Sequence, residues 1–347
     1  MFVLLVGALF LGSEAPSTPL PPAPLVGFSY SPVFSQWIES NPNSDLRELL
    51  SATNPDLVRL PIYLDDVEPS RGYLDFSSVD QLLGVVAEHN RTASRPTRVI
   101  LTIGARNFMY PELHTPDWAG PREQPYLGIV QAGDAYRLYF DASLQRYASS
   151  PLLYAWQVEN EAFDYVVNQL TGDDQISPEQ MAWEVGEAHR LDPAHRVVTT
   201  TFDGWNVLVD WFQQTAPTLA TLRGYSGHPG PTLAAGDALG LDIYLDGPST
   251  PYAFTSIALR TSLKAEAIRY WAGLAKAQNK EVWLTEMQAQ PWSDLEGSFT
   301  TQDLLDSAAT YRHEPLSVVL LWGAETWLIN PTWMNAAVSA LAILRAP

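Results

Sequence analysis

Cysteine is absent from all 347 residues, which excludes disulfide scaffolds, thiolate zinc sites and cysteine nucleophiles. Basic residues are few. Against 39 Asp and Glu there are only 20 Lys and Arg, a formal charge of −19. Such a surface repels phosphate backbones and anionic lipid, so neither nucleic acid nor an acidic membrane is expected as a partner. Charged residues make up only 17% of the chain while 46% is hydrophobic, so a large core can be buried and disorder is excluded. Nucleotide signatures are missing as well: Gly27-Phe28-Ser29 opens no GxGxxG, and no GxxxxGK[ST] occurs. The six His form no HxH and no HExxH, so neither a metal nor another cofactor is expected. Ser29 and Ser31 stand in no nucleophile elbow, which leaves acyl transfer without support.

What is present begins with an apolar run at residues 1–12, far below the ~20 residues that span a bilayer. No membrane-spanning partner is expected. Residues 1–15 read as a secretion signal without the usual basic start, and residues 16–24, with five Pro in nine positions, as a stiff linker. An exported protein is therefore expected.

From residue 25 short apolar runs alternate with segments of helical period. Strands are predicted at 25–30, 57–62, 98–104, 152–158, 196–201, 239–244, 281–285 and 317–322. Helices are predicted at 44–52, 79–89, 134–147, 178–191, 208–222, 257–277, 301–311 and 333–344. Strands that each precede a helix pair in parallel through right-handed crossovers, and eight of them close a (β/α)8 barrel. A single barrel over residues 25–347 is the expected fold. The long connections 105–133 and 286–300 would then lie on the C-terminal rim, where barrels of this kind bind their substrates.

Two acids follow apolar strands directly. The fourth strand runs into Glu159-Asn160-Glu161, and the seventh ends Leu284-Thr285-Glu286. A barrel brings these two strand ends to one mouth. Two carboxyls ~5–5.5 Å apart can hydrolyse a glycosidic bond by double displacement, one attacking the anomeric carbon and the other passing a proton to the leaving oxygen. Aromatic side chains of rim segments, Tyr110, Trp118, Trp205, Trp292, Trp322 and Trp327, are candidates for stacking on a sugar face. His114 in the third loop is a candidate contact, and Glu325 could reach a sugar hydroxyl.

Asn160-Glu161 at strand four and Glu286 at strand seven resemble the retaining glycoside hydrolases of clan A, which include families 5, 39 and 42. Val58-Arg59-Leu60-Pro61 resembles their strand-two arginine, and the stretch from Glu68 through Tyr73-Leu74-Asp75-Phe76 to Asp80 resembles a segment common in families 39 and 42. Asp242-Ile243-Tyr244 and Leu321-Trp322-Gly323 resemble their strand-six tyrosine and strand-eight tryptophan. Gln157 to Glu161 is also similar to family 35 β-galactosidases. Residues 103–118 and 322–327 resemble bacterial cellulase-like proteins. Ala162 departs from the Pro usual after the acid–base Glu in family 5, and Gly104-Ala105-Arg106-Asn107 departs from its third strand. The resemblance implies Glu161 as acid/base, Glu286 as nucleophile, Asn160 on the sugar 2-OH, Arg59 and Tyr244 on the nucleophile, and Trp322 beneath the sugar. It implies a β-linked oligo- or polysaccharide as substrate. A transglycosylase with the same residues and a non-catalytic sugar-binding barrel stay open as alternatives.

Overall fold

The computed structural model describes residues 22–109, 112–114, 116–118, 134–163, 176–202, 227–246, 256–292 and 298–346. The expected secretion signal, most of the linker, the helix at 208–222, Tyr110 and Trp205 lie outside the described residues.

Eight parallel strands close on themselves in sequence order: β1 (Leu25–Ser29), β2 (Leu57–Pro61), β3 (Arg98–Ile103), β4 (Leu153–Val158), β5 (Arg196–Phe202), β6 (Ala238–Ile243), β7 (Glu281–Gln288) and β8 (Val318–Trp322). Closure is made by β1 on β8, from Leu25 opposite Val318 to Phe28 opposite Leu321. The expected (β/α)8 barrel is the fold.

Eleven helices are found among the described residues: α1 (Pro32–Trp37), α2 (Pro42–Thr53), α3 (Leu64–Val67), α4 (Ser77–His89), α5 (Asp134–Tyr147), α6 (Pro178–Leu191), α7 (Pro229–Ala235), α8 (Ile257–Ala277), α9 (Thr301–Tyr311), α10 (Ala324–Ile329) and α11 (Pro331–Arg345). Their start signals are chemical. Ser177 accepts from the Gln180 N–H with Pro178 in the first turn, and Thr300 and Asp303 close a reciprocal capping box. The second helix starts earlier than expected. Asn41 is the cap: its side chain accepts from the Asn43 and Ser44 amides, and Pro42 supplies the fixed φ of the first turn. The short helices α1, α3, α7 and α10 escape sequence reading because one turn or two carries too little periodicity.

The barrel interior is layered. At its base Leu57, Ile100, Ala155, Val198, Ala238, Trp283, Val318 and Leu320 pack together, all buried. Two residues further along the strands the inward positions turn polar: Arg59, Thr102, Gln157 and Thr200 are all buried. Period-two alternation explains this, since residues i and i+2 share a face. The larger apolar cluster lies between sheet and helices. Each fully buried Leu or Val there contributes about 1.5–3 kcal/mol relative to exposure. The apolar base thus supports a polar upper layer at the C-terminal mouth.

Candidate active site

Glu286 owes its aim to a slip in register. Leu241 of β6 pairs with Leu284, but the next residue, Asp242, pairs with Glu286. A matching shift separates Leu284 and Met287 where β7 meets β8. Trp283 belongs to the inward base layer, so strict alternation would turn Thr285 inward and Glu286 outward. The extra residue brings both to the mouth, a use of irregular strand ends common beside active sites.

Both carboxylate oxygens of Glu286 are engaged. Oε1 accepts from Arg59 Nη2 at 2.6 Å, and Oε2 accepts from the Tyr244 hydroxyl. Arg59 is fully buried and spread over three partners, donating also to Ser29 Oγ (2.8 Å) and Gln157 Oε1 (3.0 Å). Its guanidinium carbon lies 4.2 Å from the Phe108 ring centroid and 5.6 Å from that of Trp322. Such packing fixes the plane of the fork and lowers its hydration. Burial and the adjacent Glu286 carboxylate hold the Tyr244 phenol well above its ordinary pKa, so it stays a donor.

Glu161 approaches from the other side. The chain leaves β4 through Glu159 (φ 58°) and Glu161 (φ 47°), both left-handed and neither Gly. Each such residue costs about 1–2 kcal/mol, so surrounding bonds must hold the turn. The Glu161 amide donates to Thr200 Oγ1 at 2.9 Å, and the Asn160 carbonyl accepts from Arg106 Nε at 3.0 Å. The Asn160 side-chain oxygen accepts from Gln157 Nε2 (3.0 Å). Its NH2 group is therefore the end left to meet a ligand.

Carboxylate oxygens of Glu161, Asp242 and Glu286 all lie within 4.8 Å of one another, and all three residues are buried. This is the group among the described residues whose spacing could admit a cation. Arg59 and Tyr244 already occupy both oxygens of Glu286, and Thr285 Oγ1 donates to Asp242 Oδ1 at 2.6 Å. A cation would have to compete with those donors.

Sequence reading placed Arg59, Asn160, Glu161, Tyr244 and Glu286 together, and the structure brings them together. Trp322 joins them through Arg59 and through an edge contact with Phe108. Trp292 meets the Tyr244 ring edge-on at 5.4 Å and is 44% exposed. Trp118 and His114 make no described contact with this group. Trp118 donates its indole N–H to the Glu68 carbonyl at 2.7 Å, beneath Arg71. His114 is buried, stacks on Tyr63 at 3.7 Å, and lines a groove of about 610 Å³ with Asp65, Asp66 and Asp117. Trp327, expected on the rim, is core: it is 1% exposed and donates to the Ala289 carbonyl. The long loop expected after residue 285 starts later, because β7 runs on to Gln288. Asp242, Gln157, Ser29 and Phe108 were not singled out as site residues. Counting by twos from the apolar base would have found Gln157 and Asp242. Nothing local marks Phe108.

Glu325, at the start of α10, is buried and accepts from the Ser31 amide at 2.9 Å. Burial outweighs that bond and the nearby Arg59, and raises its pKa to about 7.

A closed eight-stranded α/β barrel defines the structural class, and solved structures share that fold. The chain superimposes on a GH5_18 protein from Bifidobacterium longum subsp. infantis with a TM-score of 0.65 and 14% identity, covering 92% of this chain and 78% of that one. For GH5_18 from Streptomyces cattleya in complex with GlcNAc the TM-score is 0.62 at 16% identity, covering 87% and 70%. For xylanase 10B from Thermotoga maritima it is 0.54 at 14%, covering 87% and 83%. At such identities the likeness is one of fold. No protein-family model matches the chain, and no curated protein matches it in sequence.

Proposed function

We propose that this protein is a retaining glycoside hydrolase acting on β-linked glycans or glycosides. One observation carries the reading: oxygens of Glu161 and Glu286 lie within 4.8 Å of one another at the ends of β4 and β7. A spacing that short between one oxygen of each is nearer the ~5–5.5 Å of double displacement than the ~6.5–9.5 Å that an inverting enzyme needs for its water. The fold supports the same reading, because barrels with sugar-processing names, one of them crystallised with Manβ1-4GlcNAc, share it.

In this mechanism Glu286 attacks the anomeric carbon. Arg59 and Tyr244 hold it aimed, each by a hydrogen bond to one oxygen. Glu161 gives its proton to the departing oxygen, then takes one from the water that cleaves the glycosyl ester. Asn160 donates to the sugar 2-OH, a bond that strengthens in the transition state. Trp322 offers an apolar face to the ring, and Trp292 a second one nearer solvent. The apolar residues 1–12 and the Pro-rich stretch after them support export, which would bring the enzyme to polymeric substrate.

The test is Glu286→Ala on aryl β-glycosides. Turnover is expected to vanish with the fold intact, and azide to restore part of it as the α-glycosyl azide. Proton NMR of the wild-type reaction is expected to give the β-anomer first. A first-formed α-anomer, or wild-type rates in the variant, overturns the reading.

A further inference from the structure

Behind the acid–base turn lies a second carboxyl pair that the proposed chemistry does not use. Glu159 is fully buried at the end of β4, and Glu184 is fully buried on α6. One phenol bridges them: the Tyr136 hydroxyl on α5 bonds Glu184 Oε1 and lies 3.2 Å from Glu159 Oε1. Gln180 Nε2 donates to Glu184 Oε1 at 2.6 Å, while Glu184 Oε2 has no N–H or O–H partner. Among the described residues no Lys or Arg forms an ion pair with either acid. The charged or titratable groups facing them are Tyr136 and Tyr139 from α5 and Arg106 from the loop after β3. The Arg106 guanidinium is directed to the Asn160 carbonyl and Glu112.

Glu159 has acceptor work that favours its ionised form, against the burial that pushes its carboxyl pKa up. Its Oε1 takes the Ala105 amide at 2.9 Å and its Oε2 the Arg106 amide at 2.6 Å. Gly104 (φ 141°) makes room for it, since a Cβ there would stand 2.4 Å from the Glu159 carboxyl carbon. The carboxylate thus ties the loop after β3 to a turn held in left-handed backbone on both sides of Asn160.

We infer that Glu159 and Glu184 share one proton, with neutral Glu184 donating from Oε2 to ionised Glu159, and that the pair positions the Asn160–Glu161 turn. Two buried anions bridged by one phenol repel each other. One proton removes the repulsion and supplies the donor that Glu184 Oε2 otherwise lacks. Burial, then Glu159, keep Glu184 protonated well above the usual carboxyl range. The charge left on Glu159 goes to the two backbone amides, and Arg106 carries the restraint to the Asn160 carbonyl. Glu159 and Glu184 are positioning residues. Their effect on turnover rests on the glycosidase reading, but the shared proton and the tethered turn do not.

The test compares wild type, Glu184→Gln and Glu184→Ala. Glu184→Gln can supply an N–H where the O–H was, and kcat is expected to stay within about threefold of wild type, while Glu184→Ala loses about ten- to a hundredfold. Hydrogen exchange at the Ala105 and Arg106 amides should stay slow in Glu184→Gln and become fast in Glu184→Ala. The infrared absorption of protonated carboxyls near neutral pH should be weaker in Glu184→Gln than in wild type by the share of one carboxyl, with that of other protonated acids such as Glu325 remaining. Unfolding free energy should fall with rising pH between 5 and 8 less steeply in Glu184→Gln than in wild type, by one proton. An unchanged infrared band and pH slope in Glu184→Gln overturn the shared proton. A folded Glu184→Gln variant with exchange as fast as Glu184→Ala overturns the positioning role. If wild type turns over no glycoside, the functional reading fails while the exchange, infrared and pH measurements still decide this one.

Discussion

Arg59 and Glu286 form an ion pair of 2.6 Å in which neither side chain is more than 5% exposed. Such a pair is poor evidence of stability, because desolvating two charges offsets most of their attraction. Its sense lies in the site. The guanidinium fork spans Ser29, Gln157 and Glu286, so one residue of β2 sets the position of a carboxylate on β7 across the barrel mouth.

Removing the cation should therefore be costly. In Arg59→Met the Glu286 carboxylate is left buried without its charge partner, and unfolding in urea is expected to show a loss of about 3–5 kcal/mol. Arg59→Lys keeps the charge but not the planar fork. It should retain most stability while kcat/KM falls about 10²–10³-fold. Equal kcat/KM for Arg59→Lys and wild type would remove Arg59 from the nucleophile's support.

Glu161→Ala should discriminate between leaving groups. Glycosides with basic leaving oxygens need the lost proton most, and their kcat/KM should drop about 10²–10⁴-fold. Activated aryl glycosides should lose far less in glycosylation. Steady-state rates across a series of phenols measure this, and a uniform loss would mean that Glu161 is not the proton donor.

Glu325 gives a pH dependence with a definite sign. Its folded pKa is raised, by burial first, to about 7 from 4.5. The stability it permits is complete below the unfolded pKa and is lost as pH rises through the folded one. Between about pH 4.5 and 7 wild type should lose about 2–4 kcal/mol relative to Glu325→Gln, with little further difference above. Urea titrations of both proteins at stepped pH check it. Parallel curves would show that Glu325 does not titrate in that window.

Two tryptophans should separate packing from binding. Trp327 is 1% exposed, bonds the Ala289 carbonyl and meets Phe28 edge-on, so Trp327→Ala should cost about 3–5 kcal/mol. Trp292 is 44% exposed against Tyr244. Trp292→Ala should change stability by less than about 0.5 kcal/mol and raise KM about 2- to 10-fold. Thermal melts and Michaelis plots read the two effects, and an unchanged KM would take Trp292 out of the binding surface.

By itself the sequence determined the order of the eight strands and the approximate place of the longer helices among the described residues. Local periodicity and capping reach only a few residues, and that is enough to mark a buried parallel strand such as 98–103 or a capped helix such as 178–191. The same reading set acids at the ends of two strands and so pointed to the mouth. Tertiary structure decided the rest, because pairing register and side-chain partners depend on residues far apart in the chain. The slip between Leu241 and Asp242 turns Glu286 inward, against the alternation its own strand predicts. Three strand-end acids, Glu159, Asp242 and Glu286, are open to Arg59 by sequence. Arg59 takes Glu286 because Glu159 is drawn away to the Ala105 and Arg106 amides and Asp242 is bonded by Thr285. Trp327 and Trp292 look alike in a list of rim tryptophans. Tertiary packing buries the first, edge-on against Phe28 and bonded to the Ala289 carbonyl, and leaves the second on the surface beside Tyr244.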